Sequence, residues 1–117
     1  MKINLKISKI FSALIHSLDG LKYLFKERAF VQEIIFGIVV CISLFLSTSL
    51  LMNKLYVFSS YCLILIVEAI NTSIETTINR ISMQKHPLSK KAKDIGSTAV
   101  FVTMIHFAIT FIILIRF

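Results

Sequence analysis

Two of the chain's carboxylates sit at a spacing that can do chemistry. Glu68, Asn71, Glu75 and Asn79 recur at i, i+3, i+7 and i+11. At 100° per residue they fall within an arc of about 80° on one helix, a single polar stripe. The opposite face keeps Ile70, Ile74 and Ile81. A carboxylate inside an apolar span costs about 2.5–3.5 kcal/mol on insertion scales, so its face is normally turned to protein or a watery cavity. Counted from Leu55 at 1.5 Å per residue, Glu68 lies about 20 Å and Glu75 about 30 Å into the span. In a hydrocarbon core ~30 Å thick, Glu75 reaches the interface and Glu68 lies somewhat below it. There a lipid's polar head meets a water-soluble cosubstrate. One carboxylate can act as base and the other as ligand to a hard cation. The same stripe also fits an interhelical polar clamp, through Asn71 and Thr72.

Other chemistries lack their residues. There is no Gly-x-x-x-x-Gly-Lys phosphate loop, no Gly-rich kinase loop and no His-Glu-x-x-His zinc pair. The 3 glycines, Gly20, Gly37 and Gly96, are isolated. Phosphate, if handled, falls to lysines and to metal held by carboxylates. Cys41 and Cys62 lie in apolar blocks without metal-ligand spacing and read as small buried hydrophobes.

The elements that must position the stripe follow from composition. The 117 residues are 56% hydrophobic and 16% charged, with a net charge of +7. That excludes a disordered tail and is too apolar for an ordinary soluble domain. Ile34–Asn53 is 20 residues without a charge, and Ile95–Ile115 is 21 residues whose one ionisable group is His106. Between them, Leu55–Val67 is apolar or weakly polar, and helical spacing continues past Glu68. The expectation is an all-α integral membrane protein with spans at about 33–52, 55–79 and 95–116, in one domain. Ahead of them, Ile7, Ile10, Phe11, Leu14, Leu18, Leu21 and Phe25 form one apolar stripe. Lys9, His16 and Asp19 fall away from it. This predicts an amphipathic surface helix over about 5–27, bent or split at Gly20. If it continued through Gly20, Lys9, His16 and Glu27 would share a face. The charged N-terminal 20 residues do not read as a cleavable signal peptide.

Of the 13 Lys and Arg, 11 precede the first span or lie between the second and third; Lys54 and Arg116 do not. The positive-inside rule puts the N-terminus and the 80–94 loop in the cytoplasm. No basic face stands apart from the membrane flanks, which argues against nucleic acid as a partner.

The residues resemble a known family. Glu68-Ala-Ile-Asn71-Thr-Ser-Ile-Glu75, His86-Pro-Leu88-Ser89 and Ala92-Lys93-Asp94-Ile-Gly96-Ser97-Thr-Ala99-Val100 are similar to prokaryotic diacylglycerol kinases. Gly20-Leu21 and Glu27-Arg-Ala-Phe30-Val-Gln32-Glu33 fit as well. The resemblance covers nearly the whole chain. It implies a bacterial inner-membrane homotrimer, three transmembrane helices per subunit plus the surface helix, with active sites shared between subunits. The reaction implied is transfer of the γ-phosphoryl group of ATP to the hydroxyl of diacylglycerol, with Mg2+. Glu68 then matches the catalytic base, and Glu27 and Glu75 the metal ligands. Lys9, His16, Glu27, Glu75, Gln84, Lys85, His86, Lys93 and Asp94 match nucleotide-binding positions. Lys9, Ser17, Glu68, Asn71 and Ser97 match positions at the lipid substrate. Lys9 and His16 stand where relatives carry Arg and Tyr, and Asn79 where Asp is common. Glu33 reads as a structural carboxylate at the membrane edge.

Undecaprenol, the acceptor of a sister branch, would use the same carboxylates. A small ion-coupled transporter built on Glu68 would need an ion gradient and no ATP. A purely structural membrane subunit would keep the stripe as assembly glue. The charge-rich 80–94 loop has no evident use in a transporter.

Overall fold

The computed structural model describes residues 2–117, with side chains from Ser8 onward. Ile7 of the expected apolar stripe, and the Lys2 and Lys6 charges, lie outside the described side chains. Four helices follow in order: α1 (Lys2–Leu24), α2 (Arg28–Leu46), α3 (Leu51–Ile81) and α4 (Pro87–Leu114). No strand occurs among the described residues. α2, α3 and α4 are each long and apolar enough to cross a membrane. The all-α membrane architecture expected from the sequence is what the chain adopts.

α1 runs unbroken through Gly20, so that residue neither splits nor ends it. It stops at Leu24, and 25–27 make a tight turn closed by Lys26 N to Tyr23 O (3.0 Å) and Glu27 N to Leu24 O (2.9 Å). Glu27 therefore sits at the N-cap of α2 rather than on α1, and its carboxylate caps no helical N–H. The shared face expected for Lys9, His16 and Glu27 does not form on one helix. Ile10, Phe11, Leu14 and Leu18 of α1 are more than half exposed. An apolar stripe left open beside a membrane bundle is the signature of a helix lying in the interface.

α3 is the central element and packs most extensively on α4, then on α2. Val57, Tyr61 and Ile64 of α3 meet Val40 and Leu44 of α2 and Phe107 of α4. Two glycines set the approach of the helices. A Cβ on Gly37 would overlap the Tyr61 hydroxyl, which donates to the Glu33 carbonyl at 3.0 Å. A Cβ on Gly96 would overlap the Asn71 Oδ1.

Helix ends depart from the apolar runs for local reasons. α2 ends at Leu46, short of residue 52, because the next hydroxyls turn to the C-terminus. Ser47 Oγ donates to the Arg116 carbonyl (2.7 Å), and Arg116 N donates to Ser49 Oγ (2.6 Å). α4 begins at Pro87, ahead of residue 95, because proline suits the first helical turn and His86 Nδ1 accepts from Leu88 N at 3.1 Å. The 31 residues of α3 span about 46 Å, well beyond a ~30 Å hydrocarbon core. Its last turns, with Glu75 and Asn79, thus stand at the charged end of the bundle.

Candidate functional site

The α3 stripe is buried at its deep end and open at its shallow end. Glu68 and Asn71 are 6% and 7% exposed, while Glu75 is half-buried and Asn79 exposed. Asn71 Nδ2 donates to Glu75 Oε1 at 3.4 Å, and its Oδ1, held against Gly96, has no partner. Asn71 therefore packs against Gly96 of α4 but makes no hydrogen bond across the helices, so the polar clamp does not form through it. Glu68 lies within electrostatic reach of Glu75, Glu27 and Glu33. No cation offsets this group: the ion pairs among the described residues are Lys22–Asp19 and Lys90–Asp94. Among the described residues, no three His, Cys, Asp or Glu side chains converge tightly enough to form a complete metal cage.

Beyond Asn79 the stripe opens into a pocket of about 670 Å³ at the α3–α4 turn. Gln84, Lys85, His86, Lys93 and Asp94 all line it, with Asn79 and Lys90. Lys93 Nζ donates to Asn79 Oδ1 at 2.8 Å, which ties the start of α4 to the end of the stripe. Lys90 pairs with Asp94 on the same helix. Three lysines against one aspartate make this a basic pocket fit for a polyanion.

A second cavity, a cleft of about 640 Å³, opens between α1 and α3. Ser17, Leu21, Leu24 and Glu27 form one wall; Ala69, Thr72, Ser73, Thr76 and Thr77 form the other. On the helical wheel Thr72 lies beside both Glu68 and Glu75, so the cleft adjoins the carboxylates.

The structure thus brings Glu27 and Glu75 within electrostatic reach of Glu68, with Asn71 between the two α3 carboxylates and the five loop and α4 residues in the pocket beyond them. Ser17 joins them across the cleft. Lys9 and His16 are exposed on α1 and line neither cavity; His16 Nε2 lies 3.3 Å from Ser12 Oγ. Ser97 is exposed beside Gly96 and also lines neither.

A family model described as prokaryotic diacylglycerol kinase matches residues 15–115. The chain belongs to that family. The diacylglycerol kinase of Pseudomonas aeruginosa is 36% identical over 105 residues, covering 89% of this chain and 85% of that protein. That of Escherichia coli K12 is 35% identical over 111 residues, covering 92% and 88%. That of Haemophilus influenzae is 34% identical over 90 residues, covering 76% of each. This member of the prokaryotic diacylglycerol kinase family is a kinase and a multi-pass membrane protein.

Two features of this kinase escaped the sequence reading. Glu33 is 7% exposed, and its Oε2 has no partner in a groove between α2 and α4. Phe36, Ile64, Met104 and Phe107 pack to line the groove that holds it, and no spacing in the sequence signals that. The hydroxyl wall of the cleft is the second, although its signal is present: Thr72-Ser73 and Thr76-Thr77 repeat at i and i+4 on one face.

Proposed function

We propose that the chain transfers the γ-phosphoryl group of ATP to the free hydroxyl of diacylglycerol, giving phosphatidic acid and ADP. It works as one membrane-embedded domain at the cytoplasmic face of the bacterial inner membrane, with the N-terminus and the 80–94 loop cytoplasmic. Its unit is a homotrimer with shared active sites. One observation carries the reading: the same face of α3 bears a buried carboxylate, Glu68, inside an apolar helix long enough to span a membrane and ends in a basic pocket beyond Asn79. A hydroxyl arriving from the bilayer and a polyphosphate arriving from water then meet on one stripe.

Glu68 accepts the proton of the lipid hydroxyl as its oxygen attacks the γ-phosphorus. The bond from that phosphorus to the β-phosphate oxygen breaks, and ADP leaves. Burial of Glu68 keeps water from competing as the attacking group. Lys93 neutralises phosphate charge, and Gln84, Lys85, His86 and Asp94 line the place of the nucleotide. Such a transfer needs alignment and charge neutralisation more than covalent help. Mg2+ fits the residues: Glu27 and Glu75 lie within reach of Glu68's charge with no protein cation paired to them. Mg2+ keeps waters and phosphate oxygens beside one or two carboxylates, so a complete protein cage is not required. Held by Glu27 and Glu75, it would supply charge neutralisation at the β- and γ-phosphates. Asn71 holds Glu75 in place through its amide.

The test is ATP-dependent phosphorylation in lipid–detergent micelles with Mg2+, offering diacylglycerol and undecaprenol in parallel. Wild type is expected to phosphorylate diacylglycerol and Glu68→Gln to lose that turnover. Turnover on undecaprenol alone would reassign the acceptor. A folded protein idle on both lipids would overturn the reading.

A further inference from the structure

We infer that Asn79 is a positioning residue for the nucleotide: it fixes the Lys93 ammonium at the basic pocket without cancelling its charge. This rests on the nucleotide reading of that pocket given above.

The three lysines of the α3–α4 pocket are held in three different ways. Lys90 is fixed but neutralised, because its ammonium pairs with the Asp94 carboxylate one turn along α4. Lys85 keeps its charge but is loose, since no ion pair or hydrogen bond holds its ammonium among the described residues. Lys93 is both fixed and charged. Its Nζ donates to Asn79 Oδ1 at 2.8 Å, and an amide brings no charge to offset the ammonium.

The contact joins the two helices that form the pocket. Asn79 stands in the last turn of α3 and Lys93 in the second turn of α4. One N–H of the ammonium is used, so the others stay available to phosphate oxygens. A lysine stem is long and flexible, so an ammonium held in advance loses less freedom when it binds an anion than a loose one does. A carboxylate at position 79 would hold Lys93 equally well. It would also consume the charge that the polyphosphate needs.

That difference separates positioning from a plain structural tie. If Asn79 only fastened α3 to α4, an acid there would do better, because a charge-assisted bond is stronger than a neutral one. If Asn79 serves the nucleotide, the acid does worse. The same substitution therefore has opposite signs under the two roles.

The experiment uses the assembled enzyme in lipid–detergent micelles. It reads equilibrium ATP binding, KM for ATP, kcat on diacylglycerol and Tm. Asn79→Asp is expected to weaken ATP binding and raise KM for ATP by about tenfold, the worth of one charge-assisted hydrogen bond. Its kcat at saturating ATP should stay within about threefold, and its Tm should be no lower than that of wild type. Asn79→Ala, which frees Lys93 but leaves it charged, should raise KM by only about threefold. Ser82→Asp places the same new charge on the wall of the pocket, at a residue whose hydroxyl bonds Gln84 N rather than Lys93. It should weaken ATP binding by less than about threefold. An Asn79→Asp variant that binds ATP as well as wild type would overturn the inference and leave Asn79 a structural tie. So would a loss confined to kcat, or an equal weakening by Ser82→Asp, because the charge would then act without Lys93. If Asn79→Asp does not assemble, Asn79→Ala decides: an unchanged KM for ATP overturns the inference, and a rise at unchanged kcat upholds it. A wild type that binds no ATP would instead sink the nucleotide reading itself, which separates the two failures.

Discussion

The two ends of the helix bundle treat their polar groups in opposite ways. At the end where α2 meets α3, nearly every polar atom is spent within the protein. Ser47 and Thr48 bond the Arg116 carbonyl, Asn53 Nδ2 bonds the Leu114 carbonyl (3.3 Å), and Lys54 Nζ bonds the Ser47 carbonyl (2.6 Å). At the other end the strongest polar groups are left unspent. Glu33 Oε2 and Asn71 Oδ1 are buried without partners, and Glu68 faces three other carboxylates with no cation. An unpaired buried group costs about 1–3 kcal/mol. A chain that settles its polar groups at one end and not at the other keeps the second end ready for a ligand.

The largest effect that would sharpen this contrast is at Glu68. Glu68→Gln keeps the shape but cannot accept a proton. Turnover on diacylglycerol should fall by about 10²–10⁴-fold, the span of a general base, with ATP affinity changed no more than about threefold. Equilibrium ATP binding and single-turnover assays check both. A variant that keeps full turnover would make Glu68 a structural group and erase the contrast.

Next comes Glu75. Glu75→Gln should raise the Mg2+ concentration for half-maximal activity by about 10–100-fold, since even outer partners of a metal ligand contribute that much. A Mg2+ titration of activity reads it. An unchanged midpoint would remove Glu75 from the metal site.

Gly96 and Gly37 give a smaller, paired test. A Cβ at Gly96 meets the movable amide of Asn71, so Gly96→Ala should swing that amide away from Glu75. Turnover is expected to fall several-fold with little change in Tm. A Cβ at Gly37 meets the hydroxyl and ring of Tyr61 and would break the bond to the Glu33 carbonyl. Gly37→Ala should cost about 1–3 kcal/mol of stability, as overpacked cores do. Thermal unfolding in detergent and initial rates separate the two. The opposite pairing would place the sensitive contact at Gly37.

The site was legible where it rests on one helix, and less so where it needs two. Glu68, Asn71 and Glu75 were readable because a 3.6-residue period alone puts them on one face, and the structure keeps them there. The loop residues Gln84–His86 were readable from their resemblance to a family motif, and they share a pocket with Lys93. Glu27's place was not readable, because it depends on where α1 stops, and α1 passes Gly20 only to end at Leu24. A glycine in mid-helix costs about 1 kcal/mol relative to alanine, which weakens a helix without ending it. Helix ends also moved for reasons outside hydropathy. Pro87 and His86 start α4 among lysines, and Ser47 ends α2 by bonding a residue 69 positions away. Glu33's burial is wholly a matter of packing between helices.

The smallest effect lies in the satisfied half. Ser60 and Thr110 meet in the buried α3–α4 contact with their hydroxyl oxygens 2.9 Å apart. Each is also within reach of a carbonyl of its own helix, at 2.7 Å for Val57 and 2.9 Å for Phe107. Removing one hydroxyl therefore leaves its partner an alternative acceptor. In a membrane such side-chain pairs average about 0.6 kcal/mol, and about 1.7 at most. A double-mutant cycle of Ser60→Ala and Thr110→Val should give a coupling in that range, read from unfolding in detergent. Turnover should stay within about twofold, because neither residue touches the stripe or the two cavities. A large loss of turnover at unchanged stability would mean that the satisfied half also carries function, and the contrast between the two ends would fail.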